Sequence, residues 1–182
     1  MDTIKTYMLH WFGPFENKEQ VGIWEKEHKD HVCNLYLLEG IKKNAKFRLS
    51  YYCGKTEQGV AKRLSSPTHH ITSYRKVHEI WIGCFRNINA VSSDIFDIEN
   101  IITAYLADEV GQEQMLNQIN MRFPSHQVCV INRWYKPDLN PRLRSDSESP
   151  SKLIPDILLH YYAEGAHTIY GSQKLKMLKI AF

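Results

Sequence analysis

At 182 residues and 21.3 kDa, the chain is the size of one domain, or one domain with an appendage, and is long enough to bury a core. A hydrophobic share of 43% with 12% aromatic and 24% charged residues excludes a disordered chain, and no apolar run nears the roughly 20 residues of a membrane helix. The formal charge of +3 is too small to name a partner, and an N-terminus without a basic stretch or apolar signal core is read as non-secreted.

Thr3 to Phe12 alternates and is rich in aromatic and β-branched residues, so it reads as a strand stopped at Gly13-Pro14. Glu16 to Asp30 is polar and reads as a partly helical connector. Val32–Leu38 and Phe47–Cys53 are apolar strands joined by a short basic insert, which predicts an antiparallel hairpin. A helix from Thr56 through Leu64 ends near Ser66-Pro67, and a polar loop holding His69 and His70 follows. Val77–Phe85 alternates as a strand. Ser93 or Asp94 caps the clearest helix, with Ile95, Ile98, Ile102, Tyr105 and Leu106 on one face and Glu99 at the stripe's edge. Gln127–Trp134 is a further strand, and Pro137 to Ser151 reads as a linker. Pro155 and Gly165 bracket a predicted short amphipathic helix carrying Ile157, Leu158 and Tyr161. The segment from Ser172 to Phe182 is expected to dock as a helix or strand on the body or on a partner.

Cys33, Cys53, Cys84 and Cys129 form no C-x-x-C pair, which excludes a zinc ribbon and predicts reduced thiols packed as small apolar residues. His28, His31 and Cys33 are the one local set that could supply three metal ligands. The charge is strongly patterned. Gly40 to His78 holds nine basic residues against Glu57 alone, whereas Asp94 to Glu113 holds six acidic residues and no basic one. Such separation suits a polyanion-binding face beside an acidic, metal-attracting one, or two solvated faces of opposite sign.

Asn34-Leu35-Tyr36, then Tyr52-Cys53-Gly54-Lys55-Thr56, Arg63-Leu64, a histidine at 69 or 70, Glu99 and Leu116-Asn117 follow one another in order. Over about residues 32–120 this set resembles the GIY-YIG nuclease family, with Asn-Leu-Tyr in place of Gly-Ile-Tyr and Cys53 in place of an aliphatic residue. The resemblance implies an α+β fold: a small three-stranded antiparallel sheet (32–38, 47–53, 77–85) flanked by helices, with N- and C-terminal additions. The expected division is an N-terminal extension (1–31), a nuclease-like domain (32–135), and a linker with a C-terminal helical segment (136–182).

The function implied is metal-dependent DNA endonuclease activity, a phosphodiester hydrolysis using a single Mg²⁺ or Mn²⁺. Glu99 would hold the metal, and Tyr36 would act as general base or position the attacking water. Arg63 and Tyr52 would hold the scissile phosphate, Lys55 and His69 (or His70) would support base and phosphate, and Asn117 would orient the site. Cations beside Tyr36 are expected to lower a phenol pKa that is otherwise near 10. Double-stranded DNA is the expected partner, without a membrane, in an intracellular setting (cytoplasmic or nucleoid-associated). A homodimer would let one site act on each strand. Arg133-Trp134-Tyr135-Lys136 could stack on bases. The alternative is a non-catalytic nucleic-acid-binding module on the same fold.

Overall fold

The computed structural model describes residues 4–46, 48–86, 91–117, 123–142, 152–163 and 165–172. In chain order they form β1 (Lys5–Phe15), α1 (Lys18–Glu27), β2 (Cys33–Lys42), β3 (Leu49–Lys55) and α2 (Val60–Leu64). After these come β4 (Tyr74–Phe85), α3 (Ser92–Val110), β5 (Val128–Tyr135), β6 (Ile157–Ala163) and β7 (Ala166–Ser172). All seven strands lie in one sheet of order β3-β2-β4-β1-β5-β6-β7. It is antiparallel except where β1 runs parallel to β5.

The expected fold class is therefore wrong. The three anticipated strands are neighbours, but they form one end of a seven-stranded mixed sheet rather than a small sheet of their own. Residues 5–15 supply a central strand, between β4 and β5, and residues 157–172 supply two more. The helix expected between Pro155 and Gly165 is strand β6, which pairs with β5 from Val128↔His160 to Ile131↔Ile157. A short apolar run has no decisive period, and the free edge of β5 decides it. β1 does not stop at Gly13-Pro14. It runs on to Phe15 with a register shift between Phe12 and Phe15, through a backbone at Gly13 (φ 153°) where a Cβ would meet Ile80 O and the Trp81 ring at 2.9 Å. The polar connector holds a full helix, α1, opened by Asn17, whose side chain accepts the Gln20 N–H at 2.9 Å.

The sheet is apolar on both faces. Leu9, Trp11, Leu37, Trp81 and Val130 pack with Ile98, Ile101, Ile102 and Leu106 of α3. Each fully buried isoleucine contributes roughly 1.5–3 kcal/mol of transfer free energy, which fixes α3 against this side. On the other side, Phe12, Tyr36, Leu38, Tyr52 and Ile80 pack with Val21 and Trp24 of α1 and Val60 and Leu64 of α2. Asp94 does not cap α3 from outside. It is the third helical residue, accepting the Val91 N–H at 3.1 Å and the Tyr7 hydroxyl at 2.6 Å.

The expectation of four reduced thiols also fails, because Cys33 and Cys84, opposite each other on β2 and β4, are disulfide-bonded. That removes Cys33 from the His28–His31–Cys33 set. Cys53 and Cys129 are free and buried. Residues 143–151 of the expected linker and the terminal segment from 173 lie outside the described residues.

Candidate functional site

β3 is an edge strand, and its last residues carry the chemistry. Alternation sends Tyr51 and Cys53 towards α3 and Tyr52 towards α1 and α2. Lys55 follows the Cys53 parity, and its ammonium lies 5.2 Å from the Phe96 ring of α3. Arg63 comes from α2 on the opposite side. Between them opens a cleft of about 390 Å³ lined by Lys55, Thr56, Glu57, Gln58, Arg63, Ser92 and Ile95. Across it the Ser92 hydroxyl donates to the Glu57 carboxylate.

Glu99 stands one helical turn beyond Ile95 on α3 and is half-buried. Burial lifts its carboxyl to about 7, against the pull of the Lys55 ammonium, a hydrogen bond from the Lys55 backbone and the Arg63 guanidinium. Glu99 thus feels two cations and Tyr52, although neither it nor Tyr52 is among the residues that line the cleft. The donor set fits a Mg²⁺ or Mn²⁺ ion, which takes one or two protein carboxylates and fills the remaining positions with water and phosphate oxygens. A half-buried carboxylate with a raised pKa is moreover an anion that a cation would restore to its charged form. Among the described residues no cluster of three His, Cys, Asp or Glu side chains is placed to hold a metal.

Tyr36, Tyr52 and His69 form a second, drier group behind Arg63. Tyr36 is 0% exposed and Tyr52 7%, with ring centroids 5.9 Å apart. His69 is buried, and its Nδ1 accepts the Ile71 N–H at 2.9 Å. The neutral ring therefore carries its proton on Nε2, which donates to the Tyr36 hydroxyl oxygen at 2.7 Å. Burial, then Arg63 and His70, lowers His69 to about 4, so the ring is neutral at pH 7. Tyr36 hydrogen-bonds Tyr52 in turn.

Burial pushes the Tyr36 phenol well above its ordinary value, with Tyr52 adding to the rise, and Arg63 only partly opposes it. The lowering expected from its basic neighbours is thus overruled by desolvation. A protonated, fully enclosed phenol suits neither the general-base role expected of Tyr36 nor direct contact with the attacking water, and leaves it to act through its neighbours.

The glycine of the Tyr52-Cys53-Gly54 turn has a packing reason. A Cβ at Gly54 would run into the Tyr36 ring and hydroxyl and into Tyr52 Cε1. Asn117 faces the strand edge. Its amide accepts the Cys53 N–H at 3.0 Å and donates to the Cys53 carbonyl at 2.6 Å, while the Leu116 N–H bonds the Tyr51 carbonyl at 2.8 Å. It holds β3 in place and thereby the residues at its end. His70 is exposed, with its ring 5.1 Å from that of Tyr52.

The basic block divides sharply. Lys55 and Arg63 line the cleft, whereas Lys42 donates to the carbonyls of Glu113 and Met115, Arg48 pairs with Glu113 and Arg75 bonds the Lys46 carbonyl. In the acidic block Asp94 is taken up by Tyr7 and Lys5. Much of the charge separation therefore serves structure.

One positioning residue left no trace in the sequence. Glu25 of α1 accepts the Val60 N–H at 2.7 Å and the Ala61 N–H at 3.1 Å, closing the N-terminus of the helix that carries Arg63. Its partners lie 35 and 36 residues away in the chain, beyond any local pattern. No family model, curated protein or solved structure matches this chain.

Proposed function

We propose that the chain is a metal-dependent DNA endonuclease hydrolysing phosphodiester bonds with GIY-YIG-type chemistry. The observation that carries this reading is an open cleft at the sheet edge lined by Lys55 and Arg63, with Glu99 in electrostatic reach of both and of Tyr52. Hydrolysis needs an oriented water, positive charge for the developing phosphorane oxygens and a stabilised leaving oxygen. In this reading Arg63 binds the scissile phosphate by its planar fork of donors, and Lys55 adds a point charge on the other wall. Glu99 holds the Mg²⁺ or Mn²⁺, which when bound supplies Lewis-acid stabilisation of the same charge. Tyr36, fixed by His69, keeps Tyr52 and Arg63 in place.

The test is incubation with supercoiled plasmid and Mg²⁺ or Mn²⁺ beside Arg63→Ala and Glu99→Ala. Wild type is expected to nick or linearise the plasmid, and each variant to lose about 10²-fold or more. Failure of wild type to cut any DNA overturns the reading, and a Glu99→Ala protein that cuts normally overturns the metal site.

The complete burial of Tyr36 favours one second reading, a nucleic-acid-binding module without turnover. It predicts DNA retention by wild type in the same assay with the plasmid intact.

A further inference from the structure

The two faces of the sheet are covered unequally. Along β1, β5 and β6, the residues turned to α3 are buried: Tyr7, Leu9, Val128, Val130 and Leu158. Of the alternate residues of the same strands, Phe12, Cys129 and Ile157 are buried as well, but the others are not enclosed. Met8, His10, Ile131, Tyr135 and Leu159 are half-buried and Arg133 is exposed, as is Arg86 just past β4. Tyr161 and Tyr170, on β6 and β7, are 42% and 58% exposed. Helices α1 and α2 pack against the Tyr36 and Tyr52 end of this face, and among the described residues no helix packs over the remainder.

What this open face carries is specific. Register places His10 opposite Arg133 and Phe12 opposite Tyr135, while the Arg86 N–H bonds the Met8 carbonyl. Two guanidiniums thus flank one imidazole. After burial, Arg86 and Arg133 are the main causes that lower His10 to about 4, followed by His31. None of the open-face positions named above is a carboxylate. Arginines and exposed tyrosines on one face match a strand of nucleic acid: phosphates for the guanidiniums and base faces for the rings. Alternation also resolves the Arg133-Trp134-Tyr135-Lys136 run. Trp134 stacks on Trp11 in the core, 5.6 Å between centroids, and Tyr135 stacks on Phe12 at 5.3 Å, which leaves Arg133 for the open face.

We propose that this half-face, centred on Arg86 and Arg133 and extended by Tyr161 and Tyr170, binds a single DNA strand. The proposal rests on the nuclease reading for its choice of DNA as the polyanion.

The experiment measures binding without catalysis: fluorescence anisotropy of a labelled 20-mer, single-stranded and duplex, in EDTA over a salt series. Arg86→Glu/Arg133→Glu is compared with Lys43→Glu/Lys46→Glu, which makes the same change in net charge at the exposed β2–β3 turn. The face variant is expected to bind single strands at least about tenfold more weakly. Its salt dependence should flatten by about one to two in log–log slope, and the control should stay within about threefold. Tyr161→Ala/Tyr170→Ala is expected to weaken single-strand binding by about fivefold or more. Circular dichroism verifies folding, and Arg86→Gln/Arg133→Gln replaces the reversal if that protein does not fold.

Wild type that binds no DNA overturns the proposal, as does a control as damaged as the face variant. A face variant that turns a dimer into a monomer while binding DNA normally overturns it in favour of contact between copies. Plasmid cleavage with Mg²⁺ is scored separately. Binding through the face without cutting sinks the nuclease reading alone, and cutting with intact binding by the face variant sinks this proposal alone.

Discussion

Replacing Glu25 tests whether the first helix of the chain builds the position of Arg63. Helix α2 has only five residues and no cap of its own, since Gly59 at φ 86° offers no side-chain acceptor. Its first two N–H groups end on the Glu25 carboxylate at 2.7 and 3.1 Å. Hydrogen bonds to a charged acceptor are worth about 1.5–3 kcal/mol each when nothing replaces them. Glu25 is only half-buried, so water reaches the freed donors in Glu25→Ala. The loss should then fall near that of one good cap, about 1–2 kcal/mol. For a chain of this length that is a Tm lower by about 2 to 8 °C. Glu25→Gln keeps one acceptor and should lose roughly half as much. The functional effect should be larger than the thermal one, because Arg63 sits on the freed helix and small displacements of a positioned group can cost about 10²-fold in rate. Urea melts give the stability, and plasmid cleavage well below both midpoints gives the rate. A Glu25→Ala protein that melts within about 0.5 kcal/mol of wild type and cuts normally would refute the lock.

Glu99 should make stability depend on pH in an unusual direction. Its folded carboxyl titrates at about 7, above the ordinary 4.5, so the folded state holds the proton longer than the unfolded chain. The stability of wild type relative to Glu99→Gln should be highest below about pH 4, fall as pH rises to about 7, and level off above. The full shift corresponds to about 3 kcal/mol, and partial exposure reduces the expected fall to about half of that. A rise over the same window in paired urea melts contradicts the assignment. Tyr36→Phe should strand the buried His69 N–H and destabilise by about 1–3 kcal/mol. A cycle with His69→Ala should show about 1 kcal/mol of coupling, and additive effects would mean that no bond joins them. Gly54→Ala should destabilise by about 1–3 kcal/mol through the Tyr36 ring, and by clearly less in a Tyr36→Leu background; an equal loss in both would point to a backbone cause.

What the sequence made legible was local. The strands at Val32–Leu38, Phe47–Cys53 and Val77–Phe85 and the helix around Ile98 and Ile102 announced themselves by period and punctuation, and the β2–β3 hairpin follows from its short insert. The sheet's extent was not legible, because joining β1 to β5 in parallel links residues more than a hundred apart, with Leu9 opposite Asn132. Ile157 to Tyr162 shows why composition misleads in short runs: Pro155 and Gly165 bracket a helix as well as a strand, and only the waiting edge of β5 selects β6. At the site, the residue types were legible and their environments were not. Tyr36 was expected to be acidified by its cations, yet the packing of Tyr52, His69 and the bare Gly54 around it leaves desolvation in charge.

The edge position of β3 explains how residues from opposite faces of a sheet come to share a cleft. Inside the sheet, a carboxylate on α3 and a guanidinium on α2 would be separated by a full layer of backbone and side chains, and each face would keep its own dielectric. At the edge no further strand intervenes, so Lys55 from one side and Arg63 from the other line one cleft around the end of β3, both within electrostatic reach of Glu99. That edge is not left open along its length. Leu116 and Asn117 bond Tyr51 and Cys53, which blunts the strand against further pairing. The bonds cease at Gly54, and the cleft begins at Lys55. Asn117 thus acts on the site by deciding where the covered edge ends, and Asn117→Ala should loosen Lys55 and Glu99 together while leaving the Tyr36–His69 pair in place.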